Sequence, residues 1–208
     1  MLDYLKTRAL MAAYTYSRNN RAPASRHQYT STADFVLDRG ETIEGQQPLT
    51  AEQLGYLTHV ARGLTFEPKQ CYKNSMSLVL RDARGRVVYV EGYCDSGMIP
   101  VEHAWVLLDG KPVDLTRSLR KEAAAEFIAG CPPQADLADR VLGVIPADWH
   151  YRGVLFNRAA VREYVYEREQ YGSMIDDWEG GHPLFELERL GNFDAPDPDD
   201  FWAAMESG

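Results

Sequence analysis

Apolar and polar positions alternate with two periods along this chain, and the changes between them outline its elements. From Leu2 to Tyr16 the apolar residues Leu2, Leu5, Leu10, Met11 and Tyr14 recur at helical spacing, which predicts an amphipathic helix. Residues 17–49 are polar, with Pro23, Gly40, Gly45 and Pro48 scattered through them. They predict a long loop or arm with at most one short element near Asp34 to Leu37. Helical spacing resumes in TAEQLGYLTHVARG, where Thr50 and Gln53 form a capping-box pair and Gly63 a stop. After the connector FEPKQ, the segment CYKNSMSLVLRDA places Tyr72, Met76 and Val79 or Leu80 on one side of a further helix. That helix stops at the turn around Arg84 and Gly85.

The pattern then shortens to strands. VVYVEGYC is rich in β-branched and aromatic residues, and HAWVLLDG is apolar on both faces after His103, as a strand in the middle of a sheet must be. Asp109-Gly110 is a two-residue hairpin signal, with KPVDLT as the returning strand. RSLRKEAAAEFIAG predicts a helix closed by Gly130, and the stretch from CPPQAD to Trp149 reads as irregular or weakly helical. YRGVLF predicts a late strand and RAAVREYVYEREQ a helix capped by Asn157. No internal repeat is visible.

These elements predict an α+β fold, in which a small antiparallel sheet packs against the helix opened by Cys71, with further helices at both ends. Residues 1–190 form one expected domain, with a core at 50–170 and an N-terminal helix and polar arm at 1–49. Residues 191–208, with Asp194, Asp197, Asp199 and Asp200 among prolines, form an acidic tail expected to be mobile.

Composition narrows the function classes. A net charge of −9 with no cluster of Lys and Arg weighs against nucleic-acid binding. Asp3, Lys6 and Arg8 interrupt the apolar core that a secretory signal needs, and no stretch is long and apolar enough to span a bilayer. The three cysteines, an odd number without tight spacing, do not form a disulfide framework, so a reducing cytoplasmic location is expected.

The candidate chemistry lies in Cys71, His103 and Asp114. A cysteine at a helix start, a histidine at a strand start and an aspartate just past a hairpin have the chain order of a thiol nucleophile, its base and the group that orients the base. The helix N-terminus and an imidazole both favour a thiolate, and the first helical amides suit the oxyanion of a tetrahedral intermediate. The hairpin gives a geometric check. Pairing Leu108 with Lys111 sets Asp114 across from Trp105 and His103 across from Thr116. His103 and Asp114 are then diagonal neighbours on one face, roughly 7–8 Å apart at the backbone.

The segments CYKNS, YVEGYC and HAWVLLDGKPVDLT resemble the core of the transglutaminase-like branch of the papain-like superfamily. They are also similar to a group of phage and bacterial proteins carrying Tyr-Val-Glu-Gly-Tyr before His-Ala-Trp. The resemblance covers about residues 66–116. It implies a helix with an N-terminal cysteine, followed by strands bearing the histidine and the aspartate. In these roles Cys71 is the nucleophile, His103 the base and Asp114 the orienting acid. Tyr72 stands where such cores often carry Trp, and Leu115 where they often carry Pro. Thr65 and Phe66 occupy the region of the papain-type oxyanion glutamine, and Gln70 adjoins the cysteine.

Glu91, Trp105, Gln70 and Tyr72 are the candidates for supporting the triad. Glu91 shares a face with Tyr89 and Tyr93 and reads as a solvated or salt-bridged carboxylate, while Cys94 has the parity of Val88 and Val90 and reads as structural. A zinc set of Cys71, Cys94 and His103 lacks paired-ligand spacing, and Asp176 and Asp177 do not form a calcium loop, so neither metal nor cofactor is expected. The expected activity is acyl transfer through a Cys71 thioester: hydrolysis of an amide or isopeptide bond in a protein or small amide, or transfer to an amine. The alternative is a protein of the same fold without turnover, binding or inhibiting a partner through residues 17–49 or the acidic tail. A phage assembly or host-takeover factor is a further alternative. Specificity is expected in loops 17–49, 95–102 and 131–150.

Overall fold

A computed structural model describes residues 1–18, 29, 31–96, 99–116, 141–175, 178–179 and 182–183. The chain forms α1 (Leu2–Arg18), α2 (Thr32–Arg39), β1 (Glu41–Ile43), α3 (Ala51–Ala61), α4 (Cys71–Arg81), β2 (Val87–Asp95), β3 (Val101–Leu108) and β4 (Lys111–Asp114). These are followed by β5 (Val141–Leu142), β6 (His150–Phe156), α5 (Arg158–Arg168), β7 (Trp178–Glu179) and β8 (His182–Pro183). Among the described residues β7 and β8 pair with each other in a separate two-stranded sheet. The helix expected over RSLRKEAAAEFIAG and the tail 191–208 lie outside the described residues.

Helix starts follow local chemistry. Thr50 accepts from the Gln53 amide at 3.2 Å while Gln53 accepts from the Thr50 amide at 3.0 Å, so the capping box opens α3. Asn157 accepts from the Ala160 amide at 2.8 Å and opens α5. Two expectations are corrected. Residues 17–49 contain α2 and β1 as well as loop, because Ser31 caps α2 and Phe35 and Val36 bury one face of it. The stretch before Trp149 is not wholly irregular, since Val141 and Leu142 pair with β4 as β5.

The main sheet has six strands in the order β1-β6-β2-β3-β4-β5, every pair antiparallel, and it curls into a half-barrel. The mixed α+β architecture is therefore as expected, with β3 in the interior of the sheet. Asp109 and Gly110 take φ of 50° and 78°, as a primed two-residue turn requires, and pair Leu108 with Lys111, Leu107 with Pro112 and Val106 with Val113. The ladder ends there, so His103 does not pair with Thr116. Beyond Asp114 the chain leaves β3 and turns toward α4, where Thr116 accepts from Asn74.

Curling separates two cores. On the outer face, α4 packs across β3 and β2, burying Met76, Leu78 and Val79 with Tyr89, Val106, Leu108 and Phe156. On the inner face Ile43, Val90, Cys94, Trp105, Leu107, Val141, Trp149 and Tyr151 pack together. Fully buried Asp82 fixes α4 to β2 by accepting from the Arg84 and Val87 amides at 3.0 and 2.6 Å and from the Tyr56 hydroxyl.

Candidate active site

Cys71 opens α4 because the chain before it is forced into a tight turn. Pro68 fixes the backbone, Lys69 takes a left-handed φ of 65°, and the Gln70 amide reaches back to the Glu67 carbonyl at 3.3 Å. Asn74, one helical turn after Cys71, clasps this turn from inside. Its side chain donates to the Glu67 carbonyl at 2.8 Å and accepts from the Glu67 amide at 3.1 Å. The same Nδ2 donates to Thr116 Oγ1 at 2.9 Å, which ties the helix start to the chain just past Asp114. Gln70 is exposed and makes no side-chain cap, so no side chain at the N-cap takes up the first amides of α4.

His103 and Asp114 stand on adjacent strands. The His103 Nε2 and Asp114 Oδ2 atoms are 2.7 Å apart, and both side chains are buried at 5% and 1% exposure. The Cys71 thiol, 8% exposed, is hydrogen-bonded to His103 as well. With Nε2 engaged by Asp114, Nδ1 is the ring nitrogen left for the thiol. The three residues picked from the sequence thus meet at one imidazole. They arrive from different directions, since Cys71 belongs to the outer core while His103 and Asp114 have the strand parity of Trp105 on the inner face. The β3–β4 ladder ends at Val106 and Val113, so neither His103 nor Asp114 is held in it.

Electrostatics favours a protonated imidazole. Burial, the largest influence, pulls the His103 pKa down, but the charge and hydrogen bond of Asp114, with the Cys71 thiol, outweigh it and carry the value up to about 9. Asp114 is itself held on both oxygens. The Thr116 amide donates to Oδ1 at 3.0 Å, and the Tyr151 hydroxyl donates to Oδ2 at 2.9 Å. A proton placed on His103 therefore has a fixed counter-charge beside it.

The supporting candidates separate in space. Trp105 is fully buried and stacks on His103, with centroids 6.2 Å apart and planes 21° apart. Tyr72 is partly buried against the outer core. Gln70 points away from any capping role. Glu91 is not a solvated carboxylate, because it is only 1% exposed. It accepts from the Tyr89 hydroxyl and the Met174 amide at 2.9 Å each and from the Ile175 amide at 3.4 Å, with the Ser173 hydroxyl as a further donor. Burial raises its pKa to about 7 against the opposing pull of those donors. It anchors residues 173–175 over the outer core, and its partner Tyr89 is the link to Cys71 and Tyr72.

Tyr151, Asn74 and the glycine pair Gly92 and Gly153 escaped sequence reasoning. Asn74 had a usable signal, a polar residue three places after Cys71 on the buried side of an amphipathic helix. Tyr151 had none, since it lies 37 residues from Asp114 on a strand that is not adjacent to β4. Among the described residues no group of His, Cys, Asp or Glu is arranged to hold a metal ion, and Cys94 lies in the inner core with Trp105 and Tyr151. No described helix is long and apolar enough to cross a membrane. When the chain was compared with family models, curated proteins and solved structures, none matched.

Proposed function

We propose that the protein is a thiol-dependent acyl-transfer enzyme, with Cys71 as nucleophile, His103 as proton carrier and Asp114 as the group that orients His103. The observation that carries this reading is one buried imidazole contacting both the Cys71 thiol and the Asp114 carboxylate. A cysteine at the start of a helix laid over an antiparallel sheet, with the histidine and aspartate on successive strands, also favours the transglutaminase-like resemblance.

In the reaction the thiol proton already resides on His103, as the imidazolium that its raised pKa favours, and the Cys71 sulfur attacks the carbonyl carbon of an amide or isopeptide bond. The amides at the start of α4, which no N-cap side chain takes up, would serve as donors for the resulting oxyanion. His103 returns the proton to the leaving nitrogen as the C–N bond breaks, leaving a thioester on Cys71. Water or an amine then attacks the thioester while His103 takes its proton, the C–S bond breaks, and the free Cys71 sulfur is restored. Asp114 keeps its charge throughout and compensates the imidazolium.

The experiment is acylation of the native protein by p-nitrophenyl acetate, with Cys71, Cys94 and Cys131 followed separately by mass spectrometry. Acetyl transfer to Cys71 is expected to exceed that to Cys94 and to fall by roughly 100-fold in His103→Ala, the usual size of general acid–base assistance. Equal acylation in the wild type and His103→Ala overturns the reading, and a partner-binding protein without turnover then takes its place.

A further inference from the structure

Asp114 Oδ2 is a shared acceptor. It lies 2.7 Å from His103 Nε2 and 2.9 Å from the Tyr151 hydroxyl, while the Thr116 amide donates to Oδ1 at 3.0 Å. The contact with Tyr151 is not a consequence of neighbouring strands. Tyr151 is on β6, and β2 and β3 stand between β6 and β4. In a flat sheet those strands would be roughly 14 Å apart, farther than a tyrosine and an aspartate span together. Only the curl of the half-barrel closes that distance, and Tyr151 is the side chain placed across its hollow.

The phenol is held firmly there. Tyr151 is fully buried, meets Trp105 edge-on at 5.0 Å and 76°, and lies 6.5 Å from the His103 ring. Its hydroxyl also engages Cys94, the residue opposite it on β2. Burial first, then the Asp114 charge and Cys94, push the phenol's pKa well above its ordinary value, so it remains a donor at every working pH. The groups that weigh most on His103 are Asp114 from β4 and Cys71 from α4.

Resting on the acyl-transfer reading of the site, we propose that Tyr151 is a positioning residue that orients Asp114 and, by sharing Oδ2 with His103, limits how tightly the imidazole proton is held. A hydroxyl donated to Oδ2 withdraws negative charge from the oxygen that faces the imidazolium. Without it the carboxylate holds the proton more strongly, and His103 becomes a slower acid toward the leaving group. A stronger phenol donor has the opposite effect. A residue that merely fills space predicts no change of either sign.

The test follows the His103 ring by heteronuclear NMR across pH in the full chain, without substrate. In Tyr151→Phe the His103 titration is expected to move upward by on the order of one pH unit. With 3-fluorotyrosine placed at 151, a stronger donor of nearly the same volume, it is expected to move downward. Unchanged titration in both variants, or movement in the same direction, overturns the proposal. If Tyr151→Phe fails to fold, the fluorotyrosine protein decides alone, since it keeps the bond and the packing. Failure of the acyl-transfer reading is distinguishable, because it shows as absent Cys71 acylation in the wild type while the His103 titration still responds to position 151.

Discussion

Replacing Gly153 with alanine tests the packing that stands behind the His103 imidazole. Gly153 lies opposite Gly92 in the β2–β6 ladder, and its φ is outside the left-handed region, so the cost of a side chain there is steric. A Cβ would lie 2.7 Å from Trp105 Cη2 and 2.8 Å from both the Glu91 carbonyl oxygen and Val90 Cγ1. Ordinary contact begins at 3.4 Å, leaving the methyl short of room by about 0.6–0.7 Å on three sides. The carbonyl belongs to a strand paired on both edges, and Trp105 is fully buried between Tyr151 and His103. Neither yields without moving the site.

Overpacking of this kind costs about 1–3 kcal/mol, partly offset by the roughly 0.5–1 kcal/mol gained when a strand glycine loses unfolded-state freedom. With three contacts under 3.0 Å, one of them to backbone, the cost lies at the upper end of that range, so a net loss of about 2 kcal/mol is expected, read as a lower urea midpoint at unchanged m-value. Gly55→Ala is the matched control. It is exposed in α3 with nothing within 4 Å of the new methyl, and is expected to stabilise by about 0.5–1 kcal/mol. Gly153→Ala should also slow Cys71 acylation, because Trp105 is displaced toward the His103 ring it stacks on. Stability of Gly153→Ala equal to or above wild type, with the same m-value, would refute the close approach of β6 to Trp105.

The remaining predictions concern the buried polar groups. His103 goes from an ordinary 6.5 to about 9 on folding, so its protonated form stabilises the fold by roughly 3 kcal/mol below pH 6.5, and this is lost as pH rises through 9. Asp114→Asn should flatten that window in urea titrations run between pH 6 and 10. Glu91 also gains a proton on folding, with its pKa raised from 4.5 to about 7, so stability falls by roughly 3 kcal/mol as pH rises through that interval. Glu91→Gln should therefore improve relative to wild type between pH 5 and pH 8; an unchanged difference would exclude a buried titrating carboxyl. Asn74→Ala leaves the Glu67 amide and Thr116 without their partner and should cost about 3 kcal/mol. Because the same amide holds the turn before Cys71, the variant should also lose Cys71 acylation beyond what its stability explains, measured well below its unfolding midpoint.

Much of this molecule is decided within short stretches of chain. The Thr50–Gln53 and Asn157–Ala160 caps involve residues three apart, and the Asp109-Gly110 turn fixes the register of β3 on β4 by its own positive φ values. That is why a hairpin drawn from sequence already set His103 and Asp114 side by side. Residues 41–43 and 141–142 were opaque because strands of three and two residues carry no period of their own, and they exist only as partners for β6 and β4.

Tertiary structure decided what surrounds those residues. Hydrophobic alternation assigns a strand two faces but does not say that the sheet will curl. The curl brings Tyr151 over Asp114 and seats Trp105 against Gly153. Glu91 looked solvated because a carboxylate between two tyrosines carries no sign of the distant segment, residues 173–175, that folds over it. Local chemistry therefore determined the helix caps, the hairpin and the pairing of His103 with Asp114. The contact with Cys71, the Tyr151 donor to Asp114 and the burial of the whole site depend on long-range closure, which no local pattern encodes.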